Sequence, residues 1–290
     1  MENVLSKVRK EDVIMDPFPH IVIKNAISDE LCQQLLAEFP STDQVTKGQD
    51  WGSNKRFNLS SKDVADSTVV SQVWKDFIEA NHNQQFYNDF VRVFKDAILS
   101  LYPNFEQQFK PLGEFKSGVR KMDDFSNADI LIDSLISINT PVATKPNSVR
   151  AGHVDAPDKL FTGLLYLRSP EDNTQGGNLE IYRYKKRYQQ NKAQGHWINA
   201  EIESGCIDLV KTVTYENNVL VMFINSLESL HGVTVREKTD RTRTFMNLVG
   251  EINGKLYTMK PLQSSRFRRK VRASIKRFTS GISAYAGGGD

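Results

Sequence analysis

The chain has 290 residues, of which 39% are hydrophobic and 25% are charged, a composition typical of a globular protein and not of a disordered or fibrous one. No apolar run is long enough to cross a bilayer, and the N-terminus lacks the apolar core of a signal peptide, so we expect a cytoplasmic protein without a transmembrane segment. The net charge of +3 arises from seven basic residues between positions 266 and 277, without which it would be −4. General nucleic-acid binding is therefore not expected.

Residues 1–110 are predicted to form a mostly helical region. Ser28 is a suitable cap for a helix with two acidic residues in its first turn, and Pro40 would end that helix. Apolar residues then recur at helical spacing in two further segments, Val70–Ile78 and Phe86–Leu101. We expect their aromatic residues to pack against the core and not to hold a cofactor.

Short segments rich in β-branched residues follow, separated by turn residues such as Gly176 and Gly177. Many short strands after a helical beginning predict a mainly β fold with helices, of the α+β type. It would be a β-sandwich or jelly roll with the N-terminal helices packed outside it. The predicted strands are Ile130–Ile138, Leu160–Leu167, Leu179–Tyr184, Cys206–Val210, Val219–Ile224 and Thr242–Ile252.

Residues 261–290 combine the basic cluster with apolar residues near one helical face. This pattern predicts a basic amphipathic helix followed by a flexible tail. The helix is expected to dock on the β core with a solvated basic face, and contact with an anionic membrane or partner is the alternative. Regions 1–110, 111–260 and 261–290 are expected to form one structural unit.

Two histidines and an aspartate have the spacing of a metal site. His153 and Asp155 lie two residues apart on an extended segment, which points both side chains to one face. His231 follows the apolar strand Val219–Ile224, after a stretch long enough for the intervening strands of a barrel to bring it back. Two imidazoles and one carboxylate form the facial triad of non-haem iron(II) enzymes. We therefore predict that His153, Asp155 and His231 are the metal ligands and the catalytic centre.

An arginine beyond His231 is the candidate binder of a dicarboxylate co-substrate. Such a co-substrate chelates iron at one end, and its distal carboxylate is best bound by a guanidinium, which makes two charge-assisted hydrogen bonds. Arg241 and Arg243 have the same strand parity, so both could face inward. Arg243 lies further into the apolar strand, where an unpaired charge is costly, and is favoured over Arg241. Surface pairing of either residue with Asp240 or Glu237 is the alternative.

Five motifs occur in order along residues 16–252: Asp16–Ile23 (DPFPHIVI), His153–Lys159 (HVDAPDK), Gly163–Leu167 (GLLYL), Gly176–Ile181 (GGNLEI), and His231–Val233 (HGV) with the arginine that follows. Together they resemble the motifs of prolyl-4-hydroxylase-like 2-oxoglutarate/Fe(II)-dependent dioxygenases. The arginine lies ten or twelve residues after His231 and is duplicated, so the choice between Arg241 and Arg243 stays open. Asp155 separates the chain from related halogenases, which have a small residue at that position.

The resemblance implies a double-stranded β-helix, a cupin-like jelly roll, as the catalytic core over residues 111–260. It implies Fe(II) as cofactor, with 2-oxoglutarate and O2 as co-substrates and succinate and CO2 as co-products. The expected reaction is hydroxylation of a C–H bond in a small-molecule or peptidyl substrate, and desaturation or ring formation would use the same chemistry. Two alternatives are a non-catalytic jelly-roll binding protein and a metal-independent, cupin-like sugar isomerase or epimerase.

Further residues are secondary candidates. Tyr166 lies on the strand after the metal pair and either donates a hydrogen bond to 2-oxoglutarate or is an ordinary aromatic of the barrel wall. Asn247 shares the parity of Arg243 and is expected to line the pocket. Arg150 and Lys159 flank the metal segment and could meet an anionic substrate, although solvated loop charges are commoner. Structural roles are expected for the other histidines considered, His20, His82 and His196.

Overall fold

The computed structural model describes residues 1–186 and 201–258. In this part of the chain, ten strands form two β-sheets, and helices pack against the larger sheet. The α-helices are α1 (Asp29–Ala37), α2 (Thr42–Thr46), α3 (Ser61–Asp66), α4 (Gln72–Ala80), α5 (Gln84–Leu101) and α6 (Phe105–Gln108). The strands are β1 (His20–Lys24), β2 (Arg56–Leu59), β3 (Ser117–Val119), β4 (Ile130–Asn139), β5 (Lys159–Tyr166), β6 (Leu179–Tyr184), β7 (Ile207–Val213), β8 (Val219–Ile224), β9 (His231–Val233) and β10 (Arg243–Ile252).

The three predicted N-terminal helices are confirmed as α1, α4 and α5. Ser28 caps α1, because its side chain accepts a hydrogen bond from the backbone N–H of Leu31 at 3.4 Å. The apolar stripes of α4 and α5 bury their aromatic residues, and Trp74, Phe77 and Phe90 have no exposed surface. These side chains form one hydrophobic cluster with the outer face of the larger sheet.

The larger sheet has the strand order β1-β8-β5-β10-β4-β2, with β3 beside β4, and the smaller sheet has the order β7-β6-β9. Side chains of both sheets meet in a second apolar cluster, where Leu179 and Val213 of the smaller sheet pack with Phe245 of the larger one. Two facing, largely antiparallel sheets with helices outside form a jelly-roll core, so the predicted fold class is confirmed.

Residues alternate between the two faces along β10. Met246 and Leu248 join the cluster beneath the helices, whereas Arg243, Phe245 and Asn247 face the space between the sheets. This period of two carries polar side chains into the barrel while the same strand contributes to the core on its other face.

The first 110 residues also contain two strands that the sequence pattern did not predict. β1 pairs with β8 and β2 pairs with β4, and both strands lie at the ends of the larger sheet. They have only five and four residues, and strands this short are defined more by their partners than by their own periodicity. β2 brings Arg56 opposite Asn139 of β4 and into the lining of the cavity between the sheets.

No helix among the described residues combines the length and the apolar character needed to span a bilayer. His196 and the basic segment 261–290 lie outside the described residues. The docked helix predicted for that segment therefore stays a prediction, as does the division of the chain at residue 110.

Candidate metal centre and cavity

The backbone brings His153 and His231 side by side. The N–H of His153 donates to the carbonyl of His231 at 2.9 Å, and the N–H of His231 donates to the carbonyl of His153 at 3.0 Å. The two imidazole centroids are 4.2 Å apart. Asp155 follows two residues after His153, and the ligand atoms of all three residues lie within 4.8 Å of one another. The structure thus groups the three predicted ligands at one point.

Hydrogen bonds to backbone carbonyls orient both imidazoles. Nδ1 of His153 is 2.8 Å from the carbonyl oxygen of Ala151, and Nδ1 of His231 is 2.9 Å from that of Ser229. Because a carbonyl oxygen only accepts, Nδ1 carries the proton and Nε2 keeps its lone pair for a metal. Burial lowers the pKa of both imidazoles, and His231 lowers the pKa of His153 further. Both rings are therefore neutral, as metal ligation requires.

The carboxylate of Asp155 is held by Thr162. Oγ1 of Thr162 donates to Oδ2 of Asp155 at 2.7 Å, and Nδ2 of Asn225 donates to Oγ1 of Thr162 at 3.2 Å. Burial alone would raise the pKa of Asp155, but Lys159, the two imidazoles and the hydrogen bond from Thr162 hold it well below its usual range. The carboxylate is therefore ionised, with Oδ2 occupied and Oδ1 available to a metal.

Lys159 and Arg150 are the cations nearest to this carboxylate. Nζ of Lys159 lies 3.6 Å from Oδ1 of Asp155, and the guanidinium of Arg150 lies 3.9 Å from it. Thr162 is not among the predicted site residues. The sequence does carry a signal for it, because Thr162 is a polar residue within the mostly apolar strand β5. Asn225 offered no such signal, because only the pairing of β5 with β8 brings it to Thr162.

A cavity of 490 Å³ between the sheets contains the triad in its wall. Arg243, Asn247 and Phe245 of β10 line it, together with Leu179 and Val233 from the smaller sheet. Cavities of this size hold small organic ligands. Asn247 is buried to 7% exposure and lies in this wall, where its strand parity predicts it.

Arg243 is a buried cation without an anion among the described residues. It is 2% exposed, and its one hydrogen bond goes from NH1 to Oδ1 of Asn139 at 3.1 Å. Its guanidinium carbon lies 4.6 to 4.9 Å from the ring centroids of Phe245, Tyr166 and Tyr215. The aromatic faces stabilise the charge, but Nε and NH2 of Arg243 have no acceptor in the part of the chain that the structure describes.

Two further donors beside Arg243 have no hydrogen-bond partner within residues 1–186 and 201–258: the hydroxyl of Tyr166 and Nδ2 of Asn139. Tyr166 is fully buried, and burial raises the pKa of its hydroxyl, which keeps the proton as a donor. Leaving several buried donors without an acceptor is costly. A carboxylate supplies acceptor oxygens and a negative charge at once, so these residues fit the distal end of 2-oxoglutarate.

Arg241 does not reach the cavity. Its side chain is 47% exposed and lies 3.4 Å from Glu171 and 3.8 Å from Asp240, which is surface pairing. Strand alternation does not apply to Arg241, because β10 begins at Arg243 and Arg241 lies in the preceding loop.

A third arginine, Arg236, was not predicted and has a structural role. It is 1% exposed, and its guanidinium donates to Oδ1 of Asn54 at 2.8 Å and to the carbonyls of Thr140 and Arg241 at 3.0 and 2.9 Å. Gly177, with φ +77°, lies against both Arg236 and Arg243, so that a β-carbon there would come within 3.1 to 3.2 Å of their side chains. The glycine turn thus leaves room for both arginines.

His20 and His82 lie apart from the triad, His20 on β1 and His82 beside Ser61, whose Oγ is 3.1 Å from its Nδ1. Neither residue belongs to the metal-ligand cluster of the described chain.

No protein-family model matches the chain, and no curated protein matches it. Solved structures are similar to it. A prolyl 4-hydroxylase of Phytophthora capsici is 16% identical, with a TM-score of 0.49 over 93% of this chain and 72% of that chain. A Pseudomonas putida prolyl-4-hydroxylase is 12% identical, with a TM-score of 0.42 over 81% and 93%. A Trichoplax adhaerens prolyl hydroxylase, solved with a hypoxia inducible factor peptide, is 11% identical, with a TM-score of 0.40 over 80% and 83%.

Proposed function

We propose that the chain is an Fe(II)- and 2-oxoglutarate-dependent dioxygenase that oxidises a C–H bond of a small-molecule or peptidyl substrate, with hydroxylation as its reaction. One observation carries the proposal: a cluster of two neutral histidines and an ionised aspartate shares a cavity with a buried arginine that has no anion among the described residues. The three residues of the cluster would hold a metal ion such as iron, and the arginine would bind one carboxylate of a dicarboxylate co-substrate.

Different residues of the site would bind the metal and the co-substrate. Nε2 of His153, Nε2 of His231 and Oδ1 of Asp155 would hold the iron, while Thr162 keeps the carboxylate of Asp155 from rotating. Arg243 would bind the distal carboxylate of 2-oxoglutarate. The chemistry supplied by the bound iron and 2-oxoglutarate is oxygenation of a C–H bond, coupled to decarboxylation of 2-oxoglutarate to succinate.

Tyr166 and Asn139 would assist Arg243 as donors. Tyr166, Tyr215 and Phe245 flank the guanidinium, and Arg243 is only 2% exposed, so its attraction for a carboxylate would be screened less than at the surface. Lys159 and Arg150 keep Asp155 ionised before the metal arrives. Each of these groups binds or orients, and none is needed as an acid or a base.

Succinate formation from 2-oxoglutarate tests the proposal. We expect it to require Fe(II) and O2, to stop when the metal is chelated, and to be lost in His231→Ala but kept in the control His82→Ala. A non-catalytic binding protein would bind 2-oxoglutarate and form no succinate. A metal-independent isomerase would convert its substrate without O2 after chelation. Either result would replace the proposed function.

A further inference from the structure

The cavity has more positive charge than the proposed function uses. Among the described residues, its lining contains five cations, Arg56, Arg120, Arg150, Lys159 and Arg243, and two acids, Asp155 and Glu251. Arg120 is neutralised within the protein, because its Nε lies 2.9 Å from Glu251 and its NH1 lies 3.6 Å from Asp133. Asp155 is the metal ligand of the proposed function. Four cations therefore remain.

With iron and 2-oxoglutarate bound, only one of these four cations, Arg243, would have its charge balanced. The two charges of Fe(II) and the one of Arg243 would balance Asp155 and the two carboxylates of 2-oxoglutarate. Arg56, Arg150 and Lys159 would then have no counter-charge from the bound groups. The charge of Glu201 offsets part of the charge of Arg150, and Lys159 lies 3.6 Å from Asp155. Among the described residues, Arg56 is the one of the three with no carboxylate partner.

Arg56 projects from the edge strand β2 into the cavity. It lies opposite Asn139 in the sheet, which lies in turn opposite Arg243. The guanidinium carbons of Arg56 and Arg243 are 5.1 and 4.6 Å from the centroid of the same ring, Phe245. Nε of Arg56 donates to Oδ1 of Asn58 at 3.2 Å. Among the described residues, no carboxylate lies within ion-pair distance of Arg56, and its NH1 and NH2 have no acceptor.

Arg56 differs from Arg243 in its access. The guanidinium of Arg243 is buried beside aromatic rings, at 2% exposure, whereas Arg56 lines the same cavity as an exposed residue. Protein nevertheless surrounds it closely enough that desolvation, together with the charge of Arg243, lowers the pKa of Arg56 to about 10. The residue is still a cation at neutral pH, and it is held there by a hydrogen bond to Asn58.

We propose that Arg56 binds an oxyanion, a carboxylate or a phosphate, on the primary substrate, and that the enzyme therefore selects anionic substrates. The inference rests on the proposed function, which assigns Arg243 to 2-oxoglutarate. NH1 and NH2 of a guanidinium match two oxygens of such a group in one plane. Arg150 and Lys159 add positive potential in the same cavity, which disfavours cationic substrates such as lysyl side chains.

Inorganic phosphate and acetate are suitable probes. The full chain is loaded with Fe(II) and saturating 2-oxoglutarate without oxygen, and formation of the chelate is followed by its visible charge-transfer absorbance. Phosphate or acetate is then titrated against chloride at constant ionic strength, with the chelate absorbance and the melting temperature as readouts. The same titration is made on Arg56→Gln, on Arg56→Lys, and on Arg9→Gln, a matched control at an exposed arginine outside the cavity.

We expect wild type and Arg9→Gln to bind the anion and Arg56→Gln to bind it about tenfold or more weakly, the loss that follows removal of a charge-assisted hydrogen bond. Arg56→Lys keeps the charge and should lie between them. Failure of wild type to bind either anion, or equal binding by Arg56→Gln, would overturn the inference while the chelate still forms. Absence of the chelate in wild type would instead overturn the proposed function, and this inference with it. Circular dichroism establishes that each variant is folded.

Discussion

His153 and His231 lie 78 positions apart in the sequence, yet each donates its backbone N–H to the carbonyl of the other, at 2.9 and 3.0 Å. The distance between the two imidazoles is therefore set by the main chain. Removing an imidazole leaves both backbone hydrogen bonds in place, so we expect alanine variants of either histidine to stay folded.

This arrangement predicts that His153→Ala, Asp155→Ala and His231→Ala each lose turnover and stoichiometric iron while staying folded. Two remaining ligands hold Fe(II) poorly. Wild type should bind one iron per chain, measured by metal analysis after desalting, and circular dichroism should be unchanged in the variants. Wild-type activity in any one of the three would show that the residue is not a ligand.

Arg243→Ala is expected to raise the 2-oxoglutarate concentration needed for half-maximal turnover by about tenfold to hundredfold, because a buried charge-assisted pair is lost. Arg241→Ala serves as the matched control. It should have little effect, since the side chain is an exposed partner of Glu171 and Asp240. The opposite ranking would move the 2-oxoglutarate site to Arg241.

Thr162→Val is expected to weaken Fe(II) binding by about 10- to 100-fold, the usual cost of removing a group that orients a metal ligand. Valine keeps the shape of threonine but cannot donate to Oδ2 of Asp155. Thr162→Ser keeps the hydroxyl and should retain most of the affinity. Anaerobic Fe(II) titration measures the effect, and equal affinities for Val and Ser would contradict the role given to this hydrogen bond.

His82 should make the protein less stable as the pH falls. Burial lowers the pKa of His82 to about 4 from 6.5, so between these values the unfolded chain binds more protons than the folded one. The free energy of unfolding should therefore decrease as the pH decreases. His82 should contribute up to about 2 kcal/mol to this decrease between pH 7.5 and pH 5. Denaturant unfolding of wild type and His82→Gln at several pH values measures the difference. Identical pH dependences would contradict the prediction.

Site residues could be predicted from the sequence where their placement depends only on residues close to them in the chain. The spacing of His153 and Asp155 requires only an extended chain, and the parity of Arg243 with Asn247 requires only a strand. Arg241 could not be placed in this way, because it lies before the start of β10, where side chains do not alternate between two faces. Arg56 and Asn225 could not be predicted in this way, since their positions depend on the pairing of β2 with β4 and of β5 with β8.

The ring of Phe245 has a guanidinium close to it from each of two strands, Arg243 from its own strand and Arg56 from β2. If the two arginines bind the co-substrate and the substrate as proposed, a replacement at position 245 alters both affinities together. Substitutions at Phe245 should therefore be rare. A substitution in the edge strand β2 would change substrate binding alone, so relatives of this protein that use other substrates should differ in β2 and keep β10.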